Sequence, residues 1–400
     1  MSRSPSSPTT DNWSIEEAKR TYHIGRWGLS YFDIDEEGRV VARPRPDNGG
    51  ATIRLSDIID EVRERNLRTP LLIRFQDILR HRVQTINAAF AKAISEYEYR
   101  GSYRGVFPIK VNQLREVVEE ILIAGESHHT GLEVGSKPEL FAALALHEQL
   151  GSLIICNGYK DEAYIRMALL GQKMGKTVVL VVEKMEELDP IVAVSRSMGV
   201  KPILGVRVKL WSKADGKWAA SGGENAKFGL GTAELLDLAK RLAKAELADC
   251  FQLLHFHIGS QVPDIFTVKK AVQEASRYYA KLYKMGFPIR WFDVGGGLGV
   301  DYDGSRSKSD SSKNYSLQEY ANDVVYHVAE VSNGEGVPHP EIISESGRAI
   351  VAHHSVLVVE AFGRVTKGRT LENITYGEKE HDFVRELLEL RNRLDSSGKL

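Results

Sequence analysis

The sequence predicts an α/β protein of the (β/α)₈ TIM-barrel type. Eight short β-branched runs alternate with amphipathic helical patterns between residues 103 and 345, and a helical pattern follows each of the first seven runs. This span is close to the ~250 residues typical of such barrels. A doubly wound open sheet is the structural rival, but it would want a G-x-G-x-x-G motif after its first strand. No such motif stands there.

The elements of the predicted barrel follow one another without an internal repeat. The eight strands are predicted at Tyr103–Pro108, Gly131–Val134, Leu153–Cys156, Val178–Val182, Ile203–Val208, Leu253–Ile258, Ile289–Val294 and Glu341–Glu345. The seven helices are predicted at Gln113–Ala124, Pro138–Gln149, Asp161–Gly171, Leu188–Met198, Ala233–Lys244, Val268–Lys284 and Leu317–Val331. This order predicts that functional side chains gather where the strands end, at one mouth of the barrel.

The regions flanking the barrel predict a small β domain built from both chain ends. We divide the chain into a disordered arm (1–12), an N-terminal β/α segment (13–75), the barrel (76–348), and a further strand and helical tail (349–400). Short strands are expected within Leu29–Val41 and at Ser355–Phe362, and helices near Leu55–Asn66 and at Phe383–Leu394. So few strands make an incomplete sheet, and we expect a truncated chain.

The composition excludes several classes of protein. Hydrophobic residues make up 42% and charged residues 27%, and 53 Lys+Arg against 54 Asp+Glu give a net charge of -1. No basic field therefore draws the chain to nucleic acid or to a membrane surface. No stretch approaches the ~18 apolar residues of a membrane span. Two cysteines, Cys156 and Cys250, exclude a disulfide framework and suit a reducing, cytoplasmic location.

Two strand ends carry residues that admit more than one interpretation. Lys110, after strand one, is most simply a solvated lysine, but crowding at the rim would let it lose its proton and form a Schiff base. His255 and His257 in strand six alternate onto the same face, toward the barrel interior. An H-x-H pair suits a metal ion, but the other ligands that a hydrolytic barrel needs are not obvious, so a packed core histidine is the simpler interpretation of the two. A metal-dependent hydrolase remains an alternative, although the chain has no H-E-x-x-H motif.

The ends of strands seven and eight predict an anion site. Gly295, Gly296 and Gly297 follow strand seven directly, and successive glycines let backbone N–H groups converge on an anion. Glu345 ends strand eight and Arg348 follows it, beside the usual phosphate position of this fold. Taken alone they are most simply a surface ion pair. With the glycines and Lys110 they indicate a site for a phosphorylated ring tethered to a lysine.

Seven segments resemble the fold-type III pyridoxal 5'-phosphate enzymes, whose alanine-racemase-like barrel serves ornithine, diaminopimelate and arginine decarboxylases. They are GVFPIKVNQ (105–113), GLEVGSKPEL (131–140), IICNGYKD (154–161), SGGENAKFGLG (221–231), LLHFHIGSQ (253–261), FDVGGGLGVDYDG (292–304) and ISESGRAIVAHH (343–354). The resemblance extends from about Trp13 to Phe362 and is strongest to the arginine-decarboxylating branch.

The resemblance implies a role for each matching residue. Lys110 would hold the cofactor, His257 would stack on its ring, and Glu345 would pair with the pyridine nitrogen; these three form the implied catalytic set. The implied cofactor-binding set adds Glu133, Arg207, Ser260, Gly295, Gly296, Gly297, Gly347 and Arg348. The implied substrate-binding set is Phe292, Asp293, Val294, Gly299, Asp301 and Tyr302.

The resemblance also implies an activity: decarboxylation of L-arginine to agmatine for polyamine and spermidine synthesis, by a homodimer with shared active sites and with magnesium as a family cofactor. A carboxylate such as Glu345 against the pyridine nitrogen favours decarboxylation over racemisation. The family's protonating cysteine and distal-cation carboxylate belong to a C-terminal domain, and no such motif follows Phe362. Weak activity, a catalytically silent regulatory relative and another basic amino acid as substrate are therefore the alternatives.

Overall fold

The structure is a computed structural model that describes residues 14–48, 50–212, 227–365 and 381–397. The predicted disordered arm, residues 1–12, lies outside the described residues, as does the 221–226 part of one motif. The chain divides into two compact units, Met1–Val358 and Val359–Leu400. In the second unit the described residues include one helix, Asp382–Ser397, which covers the predicted tail helix.

The first unit is built on a closed barrel of eight parallel strands, which confirms the predicted fold class. Each strand pairs with the next in the chain, and the eighth pairs with the first. The last four strands end one to three residues before their predicted ends, because the chain leaves the ladder there to form the site described below. Strands one to eight are Tyr103–Pro108, Gly131–Val134, Leu153–Cys156, Thr177–Val182, Ile203–Arg207, Phe251–His255, Trp291–Asp293 and Glu341–Ser344.

Helices surround the barrel. Seven match the predicted ones: Arg115–Ala124, Lys137–Leu146, Glu162–Lys173, Leu188–Met198, Thr232–Lys244, Ile265–Lys284 and Leu317–Glu335. The last begins with a capping box, in which Ser316 and Glu319 each accept a hydrogen bond from the other's backbone N–H.

An eighth long helix, Gln76–Glu96, was not predicted. It precedes strand one and packs against the helices Arg115–Ala124 and Leu317–Glu335, so it closes the helical ring. Its apolar residues recur at the spacing of one helix face, and they are buried: Ile78, Leu79, Val83, Ile86, Phe90 and Ala93. A short helix, Gly347–Val351, follows strand eight.

Two apolar layers hold the barrel together. One fills the space between the strands and the helices, and the other fills the barrel interior. The interior layer is Val106, Leu153, Ile155, Val179, Val181, Leu253, Trp291 and Ile343, all buried. Because side chains alternate along each strand, these residues point inward and fill the barrel interior below the carboxyl ends of the strands.

The flanking segments form two small sheets. Phe32–Ile34, Val40–Ala42 and Ile53–Arg54 make an antiparallel three-stranded sheet, and helices Ile15–Tyr22, Ile24–Trp27 and Leu55–Glu64 lie beside it in the chain. Leu71–Arg74 pairs antiparallel with Ser355–Val358, so both flanks of the barrel meet in one sheet. The second strand ends at Val358, four residues short of its prediction. Among the described residues, no helix has the length and apolar character needed to cross a membrane.

Candidate active site

A cavity of about 420 Å³ opens at the carboxyl ends of the barrel strands. This volume lies within the range of small-molecule and cofactor sites. Ten of the eleven implied cofactor residues line it: Lys110, Glu133, Arg207, His257, Ser260, Gly296, Gly297, Glu345, Gly347 and Arg348. A larger hollow of about 570 Å³ lies elsewhere on the rim, and it contains none of the implied residues.

Lys110 stands in a single helical turn directly after strand one and reaches across to strand two. Its Nζ donates hydrogen bonds to Glu133 Oε2 at 2.9 Å and Oε1 at 3.1 Å. Burial of the ammonium acts to lower the pKa of Lys110, but the carboxylates of Glu133 and Glu345 outweigh it and raise that pKa. Glu133 is 1% exposed, and burial is the main cause that raises its own pKa, with Glu345 second. The pair therefore stabilises the ammonium form of Lys110, contrary to the expectation that crowding at the rim would remove its proton.

Asn157, after strand three, joins the two carboxylates of the cavity floor. Its Nδ2 donates to Glu133 Oε1 at 2.9 Å and to Glu345 Oε1 at 3.0 Å. Glu345 is 4% exposed and forms no ion pair with Arg348 among the described contacts, so the simple surface-pair interpretation of these two residues is wrong. The amide of Asn157 thus sets the separation and orientation of two buried acids.

Both histidines of the H-x-H pair face the cavity, although strand six ends at His255. Their ring centroids are 6.4 Å apart. Burial, followed by the charge of Arg207, lowers the pKa of each ring to about 3, so both are neutral near pH 7. The backbone N–H of Gly259 donates to His257 Nδ1 at 3.2 Å. That bond fixes the tautomer with the proton on Nε2 and orients the ring as a flat neutral wall.

The turn after strand seven requires glycine for two different reasons. Gly295 has a φ of +63°, and a Cβ there would lie 2.2 Å from the Phe256 carbonyl oxygen. A Cβ on Gly296 would lie 2.8 Å from His257 Nε2 and would intrude on the cavity wall. Gly295 itself does not line the cavity; it bends the chain so that Gly296 and Gly297 do.

A cationic corner closes one end of the cavity. Arg348 donates to Ser260 Oγ from Nη2 at 2.9 Å and from Nε at 3.3 Å. Its Nη1 donates to the hydroxyl of Tyr302 at 3.0 Å. Both partners are neutral, and no carboxylate pairs with Arg348 within the described ranges. A guanidinium held this way can bind a phosphate with its remaining donors.

In another wall of the cavity, Arg207 forms an ion pair with Glu183. Its Nη1 donates to Glu183 Oε1 at 2.7 Å, and the side chains are 13% and 3% exposed. Burial acts to raise the pKa of Glu183, but Lys160 and Arg207 outweigh it and lower that pKa. The ring of Phe228 lines the cavity 6.0 Å from the Arg207 guanidinium carbon. This ion pair shapes the wall instead of offering a free charge.

The implied substrate-binding residues do not line the cavity. Strand alternation turns Phe292 and Val294 outward into the apolar layer, where Phe292 lies 5.8 Å from Phe256 between ring centroids. The other members hold the loop together. Gly299 N–H donates to the Tyr315 hydroxyl, and Asp301 accepts from Ser312 Oγ, while Asp293 lies below the floor and Tyr302 contacts Arg348.

A metal ion has one candidate group among the described residues. One ligand-type atom from each of His255, Asp293 and Glu345 lies within 4.8 Å of the others. Magnesium prefers an all-oxygen set that keeps several waters, which a fully buried group containing a histidine does not match. The thiols offer no catalytic acid here, because burial raises the pKa of Cys156 to about 12 and that of Cys250 to about 11.

Comparison with known proteins identifies the family. The model of the family "Pyridoxal-dependent decarboxylase, pyridoxal binding domain" matches residues 83–352. The chain belongs to this family.

Its relatives include biosynthetic arginine decarboxylases. The one from Phocaeicola vulgatus is 48% identical over 386 residues, covering 96% of this chain and 61% of the relative. The one from Rhodopirellula baltica is 51% identical over 363 residues, covering 91% of this chain and 54% of the relative. The crystal structure of the Campylobacter jejuni enzyme superposes with a TM-score of 0.77 at 32% identity, covering 92% of this chain and 59% of that chain. The chain thus spans little more than half the length of these relatives.

Among the cavity residues that sequence reasoning did not single out, three make the contacts described above: Asn157, Glu183 and Phe228. Asn157 and Glu183 directly follow strands three and four, where barrel enzymes place functional groups. Reading those two strand ends would have found them. Phe228 comes from the loop after strand five, and no local pattern distinguishes it from a packing residue.

Proposed function

We propose that the chain binds pyridoxal 5'-phosphate in this cavity and serves the decarboxylation of L-arginine to agmatine and CO₂. One observation carries the proposal: Lys110 from strand one meets Glu345 and Arg348 from strand eight around a single cavity. A lysine, a buried carboxylate and a guanidinium whose hydrogen-bond partners are neutral match the aldehyde, ring nitrogen and phosphate of such a cofactor.

The residues present fit this cofactor. Ser260, Arg348, Gly296, Gly297 and the turn at Gly347 would hold the phosphate, at the end of the cavity where a cation has neutral partners. Glu345 would accept a hydrogen bond from the protonated ring nitrogen, and His257 would lie against the ring face. His255, in the cavity wall, and Asp293, behind it, carry buried polar atoms without partners among the described residues, and these would give the ring nitrogen a polar environment.

The protein's own groups then set up the chemistry. When bound, the cofactor supplies a ring that accepts electrons from the substrate α-carbon as CO₂ leaves. Glu345 as an anion keeps a proton on the ring nitrogen and so preserves that capacity. Glu133, which accepts two hydrogen bonds from Lys110 Nζ, can take the proton that this amine must lose before it bonds to a carbonyl carbon. Neutral His257 packs without adding charge.

Further parts of the proposal depend on resemblance more than on geometry. Arginine as substrate is supported by the names of the relatives, and a role in polyamine and spermidine synthesis follows from agmatine as product. We also propose a cytoplasmic homodimer, supported by two buried free thiols and by the family. Magnesium enters only through the resemblance, since the buried histidine-containing group is a poor match for it.

The proposal is tested by trapping and by turnover. Borohydride reduction of the cofactor-loaded chain, followed by peptide mapping, should label the peptide containing Lys110, and Lys110→Ala should abolish both the label and the visible absorption band. CO₂ release should be greater from arginine than from lysine or ornithine, and agmatine should be the amine product from arginine. Glu345→Gln should retain cofactor and lose most turnover. Label on another lysine, or a preference for ornithine, would contradict the assignment.

A further inference from the structure

Three polar side chains meet at the cavity floor, where two of them line the cavity and the third lies behind it. They are His255, Asp293 and Glu345, and one polar atom of each lies within 4.8 Å of the others. All three are at most 4% exposed. The strand register causes this, because His255 pairs directly with Asp293 across strands six and seven. Glu345 joins them because its N–H donates to the Gly295 carbonyl, two residues beyond Asp293.

This group has too few hydrogen-bond donors. Asp293 Oδ1 accepts from the Gly295 N–H at 2.8 Å, but Asp293 Oδ2 has no partner within the described residues. Glu345 Oε1 receives the Asn157 amide at 3.0 Å, and His255 Nε2 approaches the same oxygen at 3.4 Å without forming a well-aligned bond. Buried polar atoms are nearly always hydrogen-bonded, so this group is short of a proton.

The charges around the group point to where that proton resides. Lys110, the cation of the cavity floor, gives its hydrogen bonds to Glu133. Arg207 is paired with Glu183. Glu345 has the Asn157 donor and faces the cavity, whereas Asp293 is 0% exposed and lies behind it. Burial, and next the charge of Glu345, raise the pKa of Asp293 well above its usual value, against the opposing effect of the Gly295 N–H.

We propose that Asp293 is a neutral carboxylic acid and a positioning residue, whose proton supplies the missing donor that holds Glu345 and His255 in place beneath the ring nitrogen. The inference rests on the proposed function, because it concerns the carboxylate assigned to the cofactor nitrogen. It replaces the expectation that Asp293 contacts substrate. A proton on Asp293 Oδ2 turns this unpartnered oxygen into a hydrogen-bond donor, so the group does not need a metal ion.

The test compares two substitutions of Asp293 that differ in donor capacity. An amide has nearly the same shape as a carboxylic acid, cannot ionise and still donates, so Asp293→Asn should bind pyridoxal 5'-phosphate within about threefold of wild type, with the same visible band. Asp293→Ala removes the donor and leaves Glu345 underpaired, which should weaken cofactor binding about tenfold or more. Asp303→Asn and Asp303→Ala, in the same loop but outside the cavity, serve as matched controls.

Cofactor affinity is measured by absorbance titration, with the melting temperature of each cofactor-free variant as the control for folding. If Asp293→Ala does not fold, Asp293→Ser, which keeps a small donor, replaces it and should bind better than Asp293→Val. Equal losses in Asp293→Asn and Asp293→Ala would overturn the inference, because they would show that an ionised carboxylate is needed. If Lys110→Ala left the visible absorption band unchanged, the proposed function itself would fail.

Discussion

Replacing Arg348 tests whether the cationic corner is the phosphate site. The guanidinium spends three N–H groups on two neutral hydroxyls, Ser260 and Tyr302. Arginine carries five donors, so two remain for an anion. Hydrogen bonds to charged groups contribute ~1.5–3 kcal/mol. Losing one such contact in Arg348→Ala should therefore weaken pyridoxal 5'-phosphate binding about 10- to 150-fold.

The assay compares two ligands that differ only in the phosphate. Affinities for pyridoxal 5'-phosphate and for pyridoxal are measured by absorbance titration on wild type, Arg348→Ala and Arg348→Lys. Arg348→Ala should weaken binding of the phosphorylated ligand and leave pyridoxal nearly unchanged, with Arg348→Lys intermediate because it keeps the charge but loses the planar fork. An equal loss for both ligands would refute the reasoning, since Arg348 would then support the fold and not the phosphate.

Two further predictions concern buried polar groups. Asn157→Asp places a third acid between Glu133 and Glu345, so it should lower the free energy of unfolding by about 3 kcal/mol or more. The loss should be larger at pH 8 than at pH 5.5, where the new carboxyl can stay protonated. Equal unfolding midpoints for Asn157→Asp and Asn157→Ala would contradict this prediction. His147 and His353 are 3% and 7% exposed, and burial, with Lys176 and Arg82 next, lowers the pKa of each to about 4. The unfolded chain therefore binds protons first, and stability should fall as the pH drops from about 6.5 toward 4, by up to about 3 kcal/mol for each group. Denaturant unfolding between pH 7 and pH 4.5 should show that the free energy of unfolding declines less steeply in His147→Gln and His353→Gln than in wild type. If the variants and wild type declined in parallel, these two histidines would not be the groups that cause the loss.

The barrel was predictable because its signal is local. Strands buried on both faces appear as short apolar runs, and the intervening helices show a 3.6-residue period, so three of the eight strands begin and end where the sequence places them. The helix Gln76–Glu96 carries the same periodic signal, so its sequence was sufficient to predict it. Strand ends were harder to predict, because hydrophobicity continues past His255 and Asp293 while the backbone leaves the ladder.

The membership of the site was also predictable, because a parallel barrel brings every strand end to one mouth. Ten of the eleven residues that the resemblance assigns to cofactor binding line the cavity for that reason. For the residues that the resemblance assigns to substrate binding, the sequence could not show which ones face the cavity, because adjacent residues of one motif face opposite sides of the strand. Phe292 points into the outer apolar layer, whereas Asp293 points to the barrel axis.

The sequence by itself thus determined the fold, the family and the side chains available at the barrel mouth, because these depend on local pattern and chain order. Only the tertiary structure decided which charges meet. Lys110 pairs with Glu133, Arg207 with Glu183, and Arg348 with neutral hydroxyls. These pairs join residues that are 20 to 90 positions apart, and they depend on strand register and on depth of burial. Register decides which charge is nearest and burial sets the local dielectric. The spacing of residues along the chain encodes neither register nor burial.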